Sequence, residues 1–218
     1  ENGFFIGLYL AEGNTNIKSG KVVITNNNQE ILNIVRQWFD KRNIKNKIYI
    51  KKNTGKWNST SIQGYSTILA KFLDKFVGKG ARNKFIPPEF YVSPDEFIIG
   101  LLDGYYSGDG CITKNSIEVS SASKKLIEGI SMLLSRLGIF GRMAVCILKR
   151  NNFNTKDIAP INRLSIRSVF AKKFANTIDI THHDKSLKLN QITKSTTTLK
   201  YKKNYEIQND TILDTIVS

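Results

Sequence analysis

Residues 5–13 read FIGLYLAEG and residues 102–110 read LDGYYSGDG, and these two stretches decide the fold of this 218-residue chain. Both carry glycine at the third and ninth positions, and both place a carboxylate, Glu12 or Asp109, just before the last glycine. One helix that ends in an acid and a glycine is common in any protein. Two copies in the same frame predict an internal repeat of about half the chain.

The segments that follow each motif repeat in the same order. Periodicity and turn residues predict strands and amphipathic helices in both halves, which indicates an α+β fold of two halves related by a pseudo-twofold axis. Ser93 as N-cap and Pro94 in the first turn predict where the second motif helix begins. The expected elements are a strand at 21–26, a helix at 27–44, a hairpin within 48–63 and a helix at 66–77 ending at Gly78, then a strand at 116–121, a helix at 123–139, strands within 142–150 and 162–168, and a helix at 169–178.

The composition is strongly basic, with 33 Lys and Arg against 18 Asp and Glu and a formal net charge of +15. Because the basic residues are spread through predicted strands, nucleic acid is the expected partner. No apolar run reaches the ~20 residues of a membrane span. Two cysteines, Cys111 and Cys146, without a CxxC motif indicate reduced, intracellular protein, cytoplasmic or nuclear depending on the host; one disulfide remains an alternative.

Small residues lie four apart in each motif, as Gly7 with Ala11 and Gly104 with Gly108. On a helix this spacing puts them on one face, where they let two helix backbones approach closely. We therefore predict that the two motif helices pack against each other.

Packing of the motif helices would bring Glu12 and Asp109 side by side at the two C-terminal ends, with Gly13 and Gly110 as left-handed caps. The helix dipole disfavours each acid there by roughly 0.3–1 kcal/mol, and the two charges repel each other. A divalent cation would reverse both effects. Because Mg²⁺ binds through one or two carboxylates and completes its shell with phosphate and water, the pair indicates half of a phosphodiester-cleaving site.

At these residues the chain resembles the LAGLIDADG homing endonucleases in their two-repeat, single-chain form. The resemblance covers nearly the whole chain. It implies αββαββα halves with the motif helices at the interface, and two antiparallel sheets that form a saddle in the major groove of double-stranded DNA. It also implies a monomer that cuts both strands of a long, asymmetric site with Mg²⁺, for which Mn²⁺ can substitute. Glu12, Asp109, Gly13 and Gly110 match the metal-site positions.

The resemblance further implies a basic residue beside each acid, commonly a lysine after the last helix of each half. Lys84 matches this role in the first half. Aligning Phe72 with Phe174 predicts the second lysine near position 186, where Lys185 is the nearer candidate and Lys188 the other. The alternative for all three is an ordinary solvated lysine or a phosphate contact, and for Lys188 that alternative is preferred.

Two departures from the family pattern matter. Leu10 stands where the family name has Asp, and the first motif ends in Glu12, whose extra methylene moves the carboxylate oxygens. We therefore expect the two strands to be cut at unequal rates. Asp103 lies too early on its helix to share the metal, and a surface or capping role is expected for it.

The candidate DNA contacts alternate along the predicted strands, so they share a face. Basic and polar side chains on such a face can read base edges, whereas clusters such as Lys202 and Lys203 suit phosphate. The residues 182–184 (HHD) are expected to form a loop or polar cluster rather than a metal site. Phe39, Phe72, Phe76 and Phe174 are expected to pack in the core. The candidate contacts are Lys47, Tyr49, Lys51, Trp57 and Ser59 in the first half and Arg142, Lys149, Arg150, Arg163 and Arg167 in the second.

We assign residues 1–90 to the first repeat, 91–190 to the second and 191–218 to a C-terminal tail. The tail resembles the segment that follows the endonuclease in many inteins, although no splicing nucleophile or His-Asn pair is present. The expectation is an endonuclease region from, or descended from, an intein. The alternatives are a cleavage-deficient DNA-binding protein or RNA maturase of the same fold, and a structural remnant without a nucleic-acid role, against which the charge of +15 argues.

Overall fold

The computed structural model describes residues 1–51, 58–147, 160–194, 205–208 and 211–214, and it contains two halves of the same element order. A short 3₁₀ helix, Pro88–Val92, joins them. The first half comprises α1 (Asn2–Glu12), β1 (Gly13–Asn16), β2 (Lys21–Thr25), α2 (Gln29–Asp40), β3 (Asn46–Lys51), β4 (Ser59–Tyr65) and α3 (Thr67–Phe76). The second comprises α4 (Asp95–Asp109), β5 (Cys111–Ile112), β6 (Ser116–Ser121), α5 (Lys124–Arg136), β7 (Arg142–Ile147), β8 (Pro160–Arg167) and α6 (Ser168–Thr177), and is followed by α7 (His183–Lys194), β9 (Tyr205–Gln208) and β10 (Thr211–Asp214).

Each half contains one four-stranded antiparallel sheet, with strand order β1-β2-β4-β3 in the first and β5-β6-β8-β7 in the second. The registers correspond, since Lys21 pairs with Tyr65 at the start of β2 and Ser116 pairs with Arg167 at the start of β6. The expected α+β fold of two αββαββα halves is therefore confirmed.

The helices begin at side-chain caps that the sequence supplies. Asn28 accepts a hydrogen bond from the backbone N–H of Ile31 at the start of α2, and Ser123 does the same for Leu126 at α5. Such caps satisfy N–H groups that have no partner inside the helix. After α3, the chain turns at Gly78 with φ +83°, a left-handed conformation that glycine adopts without strain.

The motif helices α1 and α4 pack at very short range. A Cβ on Gly7 would lie 1.9 Å from the carbonyl oxygen of Leu101, and one on Gly104 would lie 2.1 Å from that of Phe4. Only glycine permits this approach, so the interface expected from the small residues is present. Ala11 and Gly108 continue the same contact row, and Gly3 and Gly100, which the sequence analysis did not single out, extend it toward the helix N-termini.

The core surrounds these two helices. Residues 3–10 of α1 are all buried, so α1 is apolar on every side, as a central helix must be. Phe39 and Phe174 are fully buried, as expected. Phe72 was expected in the core but is 46% exposed, because it lies on the outer side of α3, where its ring stacks on Phe76 with centroids 5.0 Å apart.

The structure corrects the expected caps of both motif helices. Gly13 has φ −82° and ψ 154°, and Gly110 has φ −65° and ψ 134°, so both are extended rather than left-handed. The reason is that the chain passes from each helix almost directly into a strand. Glycine is needed there for space, since a Cβ would lie 2.6 Å from the carbonyl oxygen of Tyr9 or 2.3 Å from that of Tyr106.

The start of α4 also differs by one residue from the expectation. The helix begins at Asp95, and Pro94 is the capping residue whose carbonyl accepts from Ile98. Ser93 does not cap the helix, because its hydroxyl donates instead to the carbonyl of Glu89. In the described part of the chain, no helix is both long and apolar enough to cross a membrane.

Candidate active site

The two motif acids meet where α1 and α4 end. A Cβ on Gly108 would lie 3.3 Å from Cγ of Glu12 and 3.4 Å from its Cδ, so the Glu12 side chain lies against the residue that precedes Asp109. The two carboxylates interact electrostatically, since the charge of Asp109 raises the pKa of Glu12. The structure thus brings together the two acids that the motifs predict.

Lys84 reaches the first acid from the loop after α3. Its side chain is buried, and its ammonium donates to the backbone carbonyls of Tyr9 at 2.7 Å and Leu10 at 3.0 Å. These carbonyls belong to the last turn of α1, where a positive charge offsets the negative end of the helix dipole. The ammonium also lies 5.0 Å from the centroid of the Tyr9 ring.

Lys185 occupies the matching place in the second half, and it is the nearer of the two candidates for the second lysine. From the first turn of α7 its ammonium donates to three carbonyls of the last turn of α4. Lys188, one turn further along α7, is exposed and makes no such contact. The accepting carbonyls belong to Tyr106 (3.2 Å), Ser107 (2.7 Å) and Gly108 (2.6 Å).

Burial changes the proton affinity of all four groups. Loss of hydration raises the pKa of Glu12 to about 7 and lowers that of Lys84 to about 8. The pKa of Lys185 is lowered for the same reason, while Glu12 and Asp109 oppose the shift. Asp109 is more exposed than Glu12. Partial loss of hydration still raises the pKa of its carboxyl, and the charges of the two lysines oppose this rise. Two acids and two lysines therefore form one coupled electrostatic cluster.

Asn26 is a site residue that the sequence analysis missed. Its side-chain amide donates to Oε2 of Glu12 at 2.6 Å and lowers the pKa of that carboxyl. Its own amide oxygen accepts from the N–H of Asn28, which fixes its orientation. Ser121 takes this place in the second half, where its hydroxyl accepts from the N–H of Ser123 in the same way.

Asp103 has neither of the roles expected for it. It is half-buried, and its carboxylate accepts hydrogen bonds from Thr181, in the segment before α7, and from Ser107. The structural reason is that this side of α4 faces the α6–α7 connection rather than solvent. Residues 182–184 were expected to form a loop or a polar cluster beside the site; they are not all loop, because His183 and Asp184 belong to the first turn of α7, and the N–H of His182 contacts Ser107 of α4.

The residues at the two helix ends fit a hard divalent cation. Two carboxylates and neighbouring carbonyls form an all-oxygen donor set, which suits Mg²⁺ or Mn²⁺ when phosphate and water complete the shell. In the described ranges, no cluster of three or more His, Cys, Asp or Glu side chains offers a closed metal cage. Gly13 and Gly110 can contribute only backbone carbonyls, and their place in the metal site stays a prediction.

The outer face of the first sheet carries the predicted polar residues. Lys47, Tyr49 and Lys51 project on one face of β3 and pair with Gln63, Ser61 and Ser59 of β4. All three β3 residues are exposed. The hydroxyl of Tyr49 lies 2.7 Å from that of Tyr65. Two tyrosine side chains therefore lie among the polar and basic side chains of this face.

The outer face of the second sheet is organised around a carboxylate. Arg142, Arg163 and Arg167 lie on the same face as Glu118. Nη1 of Arg163 lies 3.8 Å from Oε2 of Glu118, and Nη2 of Arg167 lies 3.5 Å from Oε1. The sequence analysis gave no role to Glu118, although its position in the alternating strand pattern could have indicated that it shares a face with the candidate arginines. Three further candidates, Trp57, Lys149 and Arg150, lie outside the described residues.

Comparison with known proteins identifies the class. The profile of the LAGLIDADG-like domain matches residues 1–76 and 96–179, one match for each half. The chain therefore belongs to the LAGLIDADG-like domain family.

Particular relatives and structures extend this result. The chain is 35% identical over 195 residues to DNA-directed RNA polymerase subunit Rpo1C of Methanocaldococcus jannaschii, covering 88% of this chain and 21% of that protein. It is 30% identical over 147 residues to the ATP-dependent DNA helicase Hel308 of Thermococcus kodakarensis, covering 63% of this chain and 13% of the helicase. The chain thus spans about a fifth of the polymerase subunit's length and a smaller share of the helicase's length.

Among solved structures, I-DmoI in complex with DNA and calcium superposes with a TM-score of 0.59 and 19% identity, covering 83% of this chain and 90% of that one. The DUF199/WhiA protein from Thermatoga maritima also gives a TM-score of 0.59, with 15% identity, covering 88% of this chain and 57% of that one. At these identities the likeness establishes a shared fold.

Proposed function

We propose that this protein is a site-specific, metal-dependent endonuclease that cuts both strands of a long, asymmetric DNA duplex. The observation that carries the proposal is the cluster of Glu12, Asp109, Lys84 and Lys185 at the adjoining ends of α1 and α4. The homing endonuclease I-DmoI, whose fold is similar, was crystallised with its target DNA and with calcium, magnesium or manganese.

The two halves suit a duplex because each supplies one acid, one lysine and one sheet with a basic outer face. In such an arrangement the sheets hold the DNA and the acids meet one phosphodiester on each strand. The charge of +15 supports binding to a polyanion. The halves differ in sequence on their outer faces, which supports an asymmetric target read by a monomer.

The chemistry follows from the charges of the cluster. Hydrolysis adds water to the phosphorus and breaks one P–O ester bond, leaving a hydroxyl on one DNA end and a phosphate monoester on the other. A bound Mg²⁺ or Mn²⁺ would supply positive charge at the scissile phosphate. Glu12 and Asp109 would hold that charge in place, and Asn26 would orient Glu12.

Lys84 and Lys185 would contribute positive charge beside the reacting phosphate. Because burial lowers the pKa of Lys84 to about 8, its ammonium can also release a proton near neutral pH, and the resulting amine can take one up. The cluster thus contains the positive charge and the proton-exchanging groups that phosphodiester hydrolysis requires.

A cleavage selection tests this function. The protein is incubated with Mg²⁺ and a large library of random duplexes, and the new ends are sequenced beside reactions of Glu12→Gln and Asp109→Asn. We expect one long consensus cut on both strands by the wild type, and loss of at least one cut with binding retained in each variant. Glu96→Gln, which removes an exposed acid at the opposite end of α4, is the matched control and should cleave normally.

The alternative function is DNA binding without cleavage. It predicts that the library is enriched by binding but yields no ends with Mg²⁺ or Mn²⁺. Retention of an acid at the end of both motifs favours the nuclease, because a protein that only binds DNA needs neither. Loss of binding in both acid variants would contradict the metal role of the acids.

A further inference from the structure

Asp103 forms a network of short hydrogen bonds that the reaction described above does not use. Its Oδ1 accepts from the backbone N–H of Thr181 at 2.7 Å and from the hydroxyl of Ser107 at 2.9 Å. Its Oδ2 accepts from the hydroxyl of Thr181 at 2.7 Å. Hydrogen bonds to a carboxylate are among the strong ones, so this side chain ties the middle of α4 firmly to the segment before α7.

The network leads directly to Lys185. The N–H of His182 donates to the Ser107 hydroxyl at 3.2 Å, and the carbonyl of His182 accepts from the N–H groups of Lys185 at 3.0 Å and Ser186 at 2.9 Å. Thr181 and His182 are therefore anchored to α4 directly before the first turn of α7, which carries Lys185. From α7 the Lys185 ammonium reaches its three carbonyls on α4, and α7 is also held by the buried side chains of Leu189 and Ile192.

The first half holds its lysine in a different way. The places of Asp103 and Ser107 in the motif are taken by Ile6 and Leu10, which are apolar and buried. The loop that carries Lys84 is instead fixed by the hydroxyl of Tyr9, which donates to the carbonyl of Gly78 at 3.0 Å.

Two further contacts fix this loop. The N–H of Phe85 donates to the carbonyl of Val77 at 3.0 Å, and the hydroxyl of Ser123 donates to the carbonyl of Lys84 at 2.6 Å. The loop that carries Lys84 is thus fixed by contacts from α1, from the backbone and from the N-cap of α5, whereas the segment before Lys185 is tied to α4 through Asp103 and Ser107.

We propose that Asp103 is a positioning residue for Lys185, acting through Thr181 and the first turn of α7, and that Lys84 is independent of it. The catalytic consequence rests on the proposed function. If Lys185 serves one of the two strand cuts, loss of Asp103 slows that cut alone and leaves a nicked duplex.

Lysine labelling tests the positioning step without DNA or metal. The full chain is briefly treated with formaldehyde and a mild reductant, and methylation of each lysine is quantified by mass spectrometry. In Asp103→Ala we expect labelling of Lys185 to rise about tenfold, the population change expected when charged hydrogen bonds are lost. Lys84 should stay unreactive and Lys188 reactive in both proteins.

Two further variants make the test specific. Thr181→Val removes one hydroxyl donor but keeps the backbone hydrogen bond, so Lys185 labelling should rise less than in Asp103→Ala. Asp103→Asn keeps one accepting oxygen and should restore partial protection. Glu96→Ala removes an exposed acid from the same helix and should change nothing. If Asp103→Ala does not fold, as judged by circular dichroism, Thr181→Val decides the outcome.

Strand-resolved cleavage tests the consequence. On a duplex labelled on both strands, Asp103→Ala should cut one strand on the order of tenfold or more slowly, as expected when a catalytic group is displaced, and the other at the wild-type rate. Unchanged labelling of Lys185, or equal slowing of both strands, would overturn the proposal. If the wild type binds DNA but does not cut, the proposed function fails, while the labelling result still decides whether Asp103 positions Lys185.

Discussion

Lys84 and Lys185 occupy equivalent places in the two halves: each ammonium donates to last-turn carbonyls of the motif helix in its own half. This arrangement explains how two acids can stand at helix C-termini, where the dipole and their mutual repulsion disfavour them. The lysine charges offset the partial negative charge of the carbonyls, and they oppose the rise that burial causes in the pKa of both acids. Both ammonium groups thus place positive charge at the ends of the motif helices, beside the two acids.

Lys84→Met should slow cleavage much more than it weakens DNA binding. Methionine fills the buried space but removes the charge and the proton at Nζ, so we expect a loss of about 10²-fold or more in single-turnover rate, the usual contribution of a positioned proton donor or acceptor. Binding measured by fluorescence anisotropy with Ca²⁺ should change little. Lys188→Met, which removes an exposed lysine of α7, is the control, and an unchanged rate in Lys84→Met would remove Lys84 from the chemistry.

Glu12→Gln should stabilise the metal-free protein at pH 8. Burial raises the pKa of Glu12 from 4.5 to about 7, so the folded protein holds this proton more tightly than the unfolded chain does. The stability that comes from the neutral carboxyl is present below pH 4.5 and is lost as the pH rises to about 7. Glutamine removes the ionisation and can still accept from Asn26, and because one pKa unit corresponds to about 1.4 kcal/mol we expect a gain of about 1–3 kcal/mol at pH 8.

Urea unfolding in EDTA at pH 5 and pH 8 measures this difference. The gain should be much smaller at pH 5, where folded wild-type Glu12 is largely protonated, and should vanish only below pH 4.5. Glu96→Gln, at the exposed end of α4, should show no such pH dependence. Destabilisation by Glu12→Gln at both pH values would contradict the assignment of Glu12 as a buried, unfavourably ionised acid.

Gly104→Ala should destabilise the protein through the α1–α4 interface. Its Cβ would lie 2.1 Å from the carbonyl oxygen of Phe4 and 2.9 Å from the amide nitrogen of Leu8, so the helices must separate. Overpacking of this kind costs about 1–3 kcal/mol. Gly100→Ala is the matched control one turn earlier, since its Cβ would lie 3.3 Å from the nearest atom, and there the better helix propensity of alanine offsets the crowding. Equal unfolding free energies for the two variants would contradict this account.

Much of the fold could be predicted because its signals are local. The small residues of the motifs predict the helix packing, and the alternation along 21–26 and 116–121 predicts the central strands β2 and β6. Strands β1 and β5 were implied by the family resemblance alone, since GNTN and CI carry no alternating hydrophobic pattern and form strands by pairing with β2 and β6. Helix α7 was missed because its sequence is largely polar and few of its residues, such as Leu189 and Ile192, are buried.

The candidate site divides in the same way. The acids follow from the motif, and the lysines follow from the family resemblance, but Asn26 and Asp103 could not be assigned from sequence. Asn26 approaches Glu12 only because β2 pairs with β1, the strand that continues from α1. Asp103 finds its donors in a segment that tertiary packing brings to α4. Contacts between segments that are distant in the sequence produce no local periodicity, so they could not be predicted from it.

Glu118→Gln should raise affinity for non-specific duplex DNA and lower specificity. Glu118 is the carboxylate that holds Arg163 and Arg167 on the outer face of the second sheet. If this face binds DNA as proposed, Glu118 would hold the two guanidinium groups in position for base edges and would disfavour phosphate contacts that ignore sequence. Without the charge, both arginines are free to contact phosphate, and the salt dependence of non-specific binding should steepen by about one phosphate contact.

Anisotropy titrations at several salt concentrations, with the selected target and with a random duplex, measure both effects. The ratio of the two affinities should fall in Glu118→Gln, and the loss of base preference should be confined to the positions that Arg163 and Arg167 contact. Glu128→Gln is the matched control, because Glu128 also forms a side-chain ion pair, with Lys124 at 3.2 Å, but lies on α5, on the other side of the sheet. If both variants raise non-specific affinity equally, net charge alone explains the effect and Glu118 has no part in reading the DNA.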